Sequence, residues 1–172
     1  MLPPHPSAGE RALSLWRRLS PWPLGPALFM WVFRGLVPYS GALGARVERL
    51  EPGHARIVLR ERRGVRNHLN SVHAIALANL GEMTSGLAMT TALPPAVRAI
   101  VTHLEIDYAK KARGTLTAES RVEVPDVRGD ADHVVRAEIR DAAGDLVAAV
   151  AVRWRLSPAP AGATPPTPPA TA

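Results

Sequence analysis

The chain contains no cysteine, and only two of its 172 residues are lysines. The missing cysteine excludes disulfides, thiolate nucleophiles and zinc–thiolate sites. The formal net charge of +6 comes from scattered arginines, without a basic stripe interleaved with aromatic residues. Nucleic-acid binding is therefore not expected. No set of His, Asp and Glu residues has the spacing of a metal site, so neither a metal nor another cofactor is predicted.

Long apolar runs are also scarce. The segment Pro26 to Leu36 is apolar but shorter than the roughly 20 residues that cross a bilayer, and it lacks the cleavage site of a signal peptide. We therefore expect a cytoplasmic protein. Pro26 suits the first turn of a helix. The preferred interpretation is a helix that docks on the domain, and the alternative is one that contacts a membrane or covers an acyl pocket.

Proline is concentrated at the two ends of the chain. Thirteen of the 17 prolines lie before Tyr39 or after Ser157, and the region between them is proline-poor. We predict an N-terminal extension at 1–23 with a short helix over 11–19, and one domain at 24–157. The Pro/Ala-rich residues 158–172 have no apolar periodicity and are predicted to be a disordered tail.

The stretch from Arg66 to Met89 organises the domain. It begins as a polar loop and becomes a helix that is apolar on nearly every side, a pattern typical of a helix wrapped by protein. Glu82 nevertheless lies in the middle of this helix. Burial of an unpaired ionised carboxylate costs on the order of several kcal/mol. A functional role for Glu82 is therefore the favoured hypothesis.

Strand-like runs flank the predicted helix. A β-hairpin is predicted from 42–50 and 54–60, and four further strands at 99–108, 115–124, 132–140 and 146–156. In the first of these four, strict alternation places Ile100, Leu104 and Tyr108 on one face. The order predicts an α+β fold in which a hairpin, a long helix and a four-strand meander form an antiparallel sheet curled around the helix.

This order and one spaced motif resemble the hotdog fold, specifically the PaaI-like thioesterases and their DUF4442 branch, over residues 24–156. That family carries an Asn, a Gly three residues later, a His-Gly-Gly that opens the helix, and an acid nine residues after the His. Asn67, His73 and Glu82 occupy the Asn, His and acid positions. Asn70 replaces the first Gly, and Ala74 and Ile75 replace the other two. The resemblance implies thioester hydrolysis at a site between subunits.

The spacing alone also predicts a dimer. Nine helical residues at about 100° each place Glu82 about 180° around the helix from His73. One subunit cannot easily direct both side chains at one substrate, whereas a two-fold homodimer can. We therefore expect a homodimer, or a dimer of dimers, with Asn67 and His73 of one subunit facing Glu82 of the other.

A plausible acyl-transfer site follows. Glu82 acts as general base on water, and unpaired N–H groups between His73 and Ile75 stabilise the oxyanion. Asn67 holds the water or the carbonyl, and His73 positions the carbonyl or caps the helix. The predicted substrate-binding residues are Ala74, Ile75, Asn70, Thr84, Ser85, Lys110, Lys111 and Arg113.

Structural interpretations stay open beside these roles. Thr84, Ser85 or a partner subunit can satisfy Glu82, and Asn67 and Asn70 can serve turn geometry. The cluster Lys110, Lys111 and Arg113 can hold the phosphates of coenzyme A, or it can be a solvated turn that protects a sheet edge.

Two principal functions are compared. The first is an acyl-CoA thioesterase, and the alternative is a non-catalytic module with the same fold that binds an acyl chain or acyl-CoA. The lost glycines and the apolar N-terminal helix favour the alternative. Hydration or dehydration of an acyl thioester is a third possibility that no residue demands.

Overall fold

The computed structural model describes residues 6–124 and 126–158, so nearly all of the predicted tail lies outside the described residues. Helix α1 spans Ala8–Leu19, α2 spans Gly25–Leu36, α3 spans Pro38–Gly41 and α4 spans Ala74–Ala92. The strands are β1 (Arg46–Glu51), β2 (His54–Arg60), β3 (Val97–Tyr108), β4 (Thr115–Arg121), β5 (Ala131–Arg140) and β6 (Leu146–Pro158). The predicted α+β class is confirmed.

The described strands form one antiparallel sheet in the order β1-β2-β4-β5-β6-β3. Alternating side chains bury one face of the sheet against α4, as in the run Ala55, Ile57 and Leu59 of β2. Helix α4 lies across this face, where it packs mainly on β2, β4, β5 and β6 and contacts β3 only slightly. The sheet therefore wraps around the helix as predicted.

The prediction of a four-strand meander was wrong for β3. Strand β3 pairs with β6, while β4 pairs with β2 and β5. Six residues separate Tyr108 from Thr115, enough extended chain to cross the roughly 14 Å between strands that lie three positions apart. A connection of this length does not require a hairpin, and β3 becomes an edge of the sheet.

The prediction of strict alternation along β3 was also wrong. The register shifts between Val101 and His103, which marks a β-bulge. Before the bulge Val101 faces the core, and after it Leu104 does, so Ile100 points outward and is 66% exposed. The extra residue reverses the facing of the strand's first half relative to the sequence expectation.

Two glycines let α4 lie close to the sheet. A Cβ on Gly81 would collide with Cγ2 of Val150, and one on Gly86 would meet the ring of Trp154 at 3.3 Å. Thr84, within this buried part, donates its hydroxyl hydrogen to the carbonyl of Leu80. The helix backbone thus packs directly against side chains of β6.

The N-terminal helices pack on the same core. Ser7 and Glu10 form a capping box that starts α1, in which Leu13 and Trp16 are buried. Phe29 of α2 is 2% exposed and meets Trp16 edge to face, with ring centroids 5.3 Å apart. The inner side of α2 therefore docks on the domain, and the division into extension and domain stays a prediction.

Candidate active site

The loop before α4 is shaped by Asn67. Its side-chain carbonyl accepts hydrogen bonds from the backbone N–H of Leu69 at 2.9 Å and from both the N–H and the hydroxyl of Ser71 at 3.2 Å. These hydrogen bonds are the ones expected if Asn67 serves the geometry of the turn. The side-chain NH₂ makes no hydrogen bond within the described residues, so Asn67 still has a donor to offer.

Asn70 occupies the tightest point of this loop. Its φ of +53° makes it the one non-glycine residue with positive φ in the described chain. Glycine adopts this conformation freely, and Asn tolerates it better than most other residues. The geometry explains how Asn70 replaces the family's glycine and supports a turn role rather than a substrate contact.

His73 is the N-cap of α4. Its Nδ1 accepts the N–H of Ile75 at 3.1 Å, which leaves Nε2 as the ring's donor. The backbone N–H of His73 donates to the carbonyl of Val65 at 2.8 Å. Of the three N–H groups expected to be unpaired, only that of Ala74 lacks an acceptor in the described residues. The N–H of Ile75, which was predicted to stabilise the oxyanion, instead donates to the capping side chain of His73.

A cleft of about 270 Å³ opens beside this helix start. Among the residues that line it are Asn67, Ala74, Lys110 and Lys111, four of the predicted site residues. Tyr108, which was not among the predicted site residues, also lines the cleft, and its hydroxyl donates to the carbonyl of Ala74 at 3.2 Å. Partial burial raises the pKa of Tyr108 and keeps it a donor. A tyrosine at the end of a strand, next to a basic pair, was the available signal.

Glu82 lies further along α4 and does not line this cleft. It is half-buried, and its carboxylate forms no hydrogen bond or ion pair within the described residues. Burial raises the pKa of Glu82 above its ordinary value of 4.5. One carboxylate oxygen lies near Gly86, which in turn faces the ring of Trp154. The acid is held in a partly apolar setting without a compensating charge.

The hydroxyls next to Glu82 do not satisfy it. Thr84 donates to the carbonyl of Leu80 at 2.7 Å, and Ser85 donates to the backbone carbonyl of Glu82 at 2.9 Å. Both side chains are fully buried. Thr84 and Ser85 are therefore occupied by their own helix, which argues against the predicted substrate contacts.

The basic cluster separates into two kinds of residue. The Nζ of Lys110 lies 2.6 Å from Asp141 and 2.8 Å from Asp145, so this lysine ties β3 to the β5–β6 turn. Lys111 and Arg113 are exposed and form no ion pair within residues 6–124 and 126–158. The charge of Arg113 also acts on Glu61, so Lys111 is the member of the cluster whose charge is available to an anionic ligand.

The separation of Glu82 from the cleft has a geometric basis. Nine helical residues correspond to roughly 13.5 Å along the axis and half a turn around it. Glu82 belongs to a stripe of α4 that the protomer leaves partly uncovered, here called the open stripe. The open stripe consists of Ile75, Ala78, Asn79, Glu82 and Gly86.

The described part of the chain lacks both a metal-binding cluster and a helix that could span a bilayer. No group of three or more His, Asp or Glu residues there is arranged to hold a metal ion. None of the helices there is both long and apolar enough to cross a membrane.

Solved structures share this fold. APC5556, a structural-genomics protein, matches with a TM-score of 0.76 at 26% identity, over 87% of this chain and 97% of that one. A protein of unknown function from Pseudomonas aeruginosa, described as a probable thioesterase, matches with a TM-score of 0.65 at 27% identity, over 70% and 87%. A mutant of the phenylacetic acid degradation protein PaaI from Thermus thermophilus matches with a TM-score of 0.59 at 23% identity, over 69% and 97%.

These similarities confirm the predicted hotdog fold. A search among proteins with curated descriptions found no match. Residues 25–156 match the family model described as "Domain of unknown function (DUF4442)", which covers most of the chain. The fold, the order of elements and this match agree, and the chain belongs to the DUF4442 family.

Proposed function

We propose that the protein is a homodimeric acyl thioester hydrolase in which Glu82 is the general base. Acyl-CoA as substrate and a cytoplasmic location are part of this proposal. The similarity to a structure described as a probable thioesterase, at 27% identity, supports the reaction class.

The observation that carries the proposal is the state of Glu82. Its half-buried carboxylate has a raised pKa and no partner within the described residues, whereas the neighbouring hydroxyls of Thr84 and Ser85 are satisfied within the helix. Folding alone gains nothing from such a group, since burial of an unpaired carboxylate opposes ionisation. A base whose pKa lies closer to neutral suits proton transfer from water.

A dimer formed through β3 would complete the site. Strand β3 has twelve residues and pairs only with β6 among the described strands, so its other edge is open. Long open edges are normally paired or protected. Trp154 lies beside β3 on β6 and contacts Gly86 of the open stripe, so this stripe lies on the β3 side of the helix. A partner at this edge would bring its own loop 67–73 toward Glu82.

The reaction can be written with these residues alone. Glu82 accepts a proton from water as the water oxygen bonds to the thioester carbonyl carbon. The N–H of Ala74 and the side-chain NH₂ of Asn67 from the other subunit donate to the oxyanion. The C–S bond then breaks, and the thiolate leaves with the proton returned by Glu82. The products are a carboxylic acid and a free thiol.

The first test is hydrolysis of short to long acyl-CoA substrates by the wild-type protein and by Glu82→Gln. We expect kcat to fall by about 10²- to 10⁴-fold in the variant, the usual contribution of a general base. Glu138→Gln is the matched control, because Glu138 pairs with Arg140 away from the cleft. Equal rates in Glu82→Gln and wild type would contradict the assignment of the base.

A second test addresses the shared site. Asn67→Asp keeps the side-chain acceptor that shapes the loop but removes the NH₂ donor, so it should inactivate without unfolding. Mixed with Glu82→Gln after subunit exchange, it should restore about one quarter of wild-type activity, since half of the dimers carry one intact site. Failure to restore activity despite confirmed exchange would argue that both residues act within one subunit, or that one of them is not catalytic.

A specific observation favours the alternative function, a module that binds an acyl thioester without hydrolysis. The side chain of Ile75 is 57% exposed at the helix start, and the N–H of Ile75 is occupied by His73. Both features limit the approach of a carbonyl. Tight binding of acyl-CoA without turnover over the whole panel would select this alternative.

A further inference from the structure

The outer face of α2 is apolar and uncovered. Four large side chains on this face and the turn before it are exposed to 69%, 78%, 47% and 73%: Trp22, Leu24, Leu28 and Trp31, here called the outer patch. In a domain of this size such a contiguous patch usually marks an interaction surface. Two of the four tryptophans in the chain belong to it.

The patch is not needed to attach α2 to the domain. Phe29 is buried on the opposite side of the helix, and Met30 and Phe33 pack beside it against the core. Residues 28 and 31 lie on the far side, because successive helical residues are rotated by about 100°. Docking of the inner face therefore leaves the outer patch free.

The proposed dimer does not cover the patch either. Helix α2 packs against β1, at one edge of the sheet, whereas β3 forms the other edge. Five strand spacings, on the order of 24 Å, separate the two edges. A second copy joined at β3 contacts the far side of the protomer.

The charges of residues near the outer patch indicate what kind of surface it would bind. Residues 6–45 contain four arginines and one acidic residue, Glu10. Glu10 is engaged in the capping box of α1. Arg17, Arg18 and Arg34 make no ion pair within the described residues, and all three are exposed. Arg34 lies on α2 itself, and the other two lie within five residues of Trp22.

We propose that the outer patch docks on the surface of an anionic lipid bilayer. Tryptophan favours the interface between headgroups and acyl chains, where one part of the ring system is apolar and its N–H remains hydrated. Leucines beside it add apolar area, and arginines add electrostatic attraction to an anionic surface. This contact is peripheral, and it does not depend on the proposed hydrolysis.

Vesicle co-sedimentation of the full-length protein tests this proposal. The probes are vesicles of phosphatidylcholine mixed with phosphatidylglycerol, and vesicles of phosphatidylcholine alone. We expect binding to the mixed vesicles that weakens at high salt, and a loss of roughly tenfold or more in Leu28→Ser/Trp31→Ser. Val134→Ser is the control, because Val134 is an exposed apolar residue on β5 and should leave binding unchanged.

A charge variant makes the test independent of apolar packing. Arg17→Gln/Arg18→Gln should reduce binding to the mixed vesicles by severalfold while circular dichroism stays unchanged. Equal binding of wild type and the Leu28/Trp31 variant would overturn the proposal, as would equal binding to both kinds of vesicle. Light scattering that shows a larger assembly broken by Leu28→Ser/Trp31→Ser would instead assign the patch to a second copy of the chain.

Discussion

Glu61 and Glu82 lie on either side of the same loop, and their carboxylates have opposite surroundings and opposite pKa shifts. Glu61 follows β2, and its side chain is 12% exposed. It accepts the N–H of Gly114 at 2.5 Å and the guanidinium of Arg66 at 2.6 Å, and these partners lower the pKa of Glu61. Glu82 has no such partner within the described residues, and burial raises its pKa.

The difference shows which carboxylate serves the fold. Glu61 joins the end of β2, the loop before α4 and the turn before β4, so its ionised form stabilises the native state. Glu82 is partly removed from water and forms no hydrogen bond or ion pair within the described residues that would stabilise its ionised form. The same contrast recurs in the basic cluster, where Lys110 is paired with two aspartates and Lys111 is not.

The largest expected effect on stability comes from Glu61→Ala. It leaves the N–H of Gly114 and the guanidinium of Arg66 without their acceptor, so the free energy of unfolding should fall by about 1–3 kcal/mol. Urea denaturation measures this change. Glu138→Ala removes an exposed ion pair and should change stability by less than about 0.5 kcal/mol. Similar losses in the two variants would contradict a structural role for the carboxylate of Glu61.

The pH dependence of stability should have opposite signs at the two glutamates. The raised pKa of Glu82 means that its contribution is fully present below pH 4.5 and is lost as pH rises through its folded pKa. Glu82→Gln should therefore match wild type in acid and become the more stable protein at neutral pH.

For Glu61 the lowered pKa gives stability that is present above pH 4.5 and lost as pH falls through the folded pKa. The deficit of Glu61→Ala should therefore shrink in acid. Thermal melting across a pH series measures both trends, and a Glu82→Gln protein less stable than wild type at neutral pH would contradict the assignment of an unpaired carboxylate.

The smallest effect concerns the two lysines. Lys111→Ala removes an exposed charge beside the cleft and should raise KM for acyl-CoA about three- to tenfold with little change in kcat. Lys110→Ala is the matched control, because its charge is engaged by Asp141 and Asp145. Steady-state kinetics distinguish the variants, and an equal or larger rise in KM for Lys110→Ala would remove Lys111 from the binding site.

The sequence patterns predicted α1, α2, α4, the six strands and the fold, because most of these elements have strong apolar periodicities. The four-residue helix α3 was not predicted. The predicted strand order misplaced β3, since a six-residue connection carries no hairpin signal and pairing over long sequence distances leaves no local pattern. The bulge near Val101 was also invisible, because one extra residue reverses the facing of half a strand without altering the composition.

In the site, the spaced motif does not specify the hydrogen bonds. Asn67, Ala74 and the two lysines line one cleft, and their role as a site stays a prediction. The capping of Ile75 by His73 and the reach of Tyr108 to Ala74 depend on side-chain directions that spacing does not specify. The predicted homodimer, which would unite the cleft with Glu82, stays a prediction.

The contact between Gly81 and Val150 has a mechanical consequence. A backbone that rests directly on a branched side chain cannot slide along its axis without a collision, so this contact acts as a stop for α4. Glu82 is the next residue. The packing of Gly81 therefore positions the carboxylate of Glu82, which forms no hydrogen bond of its own within the described residues. Every lone pair of the acid is left free to accept a hydrogen bond from a ligand.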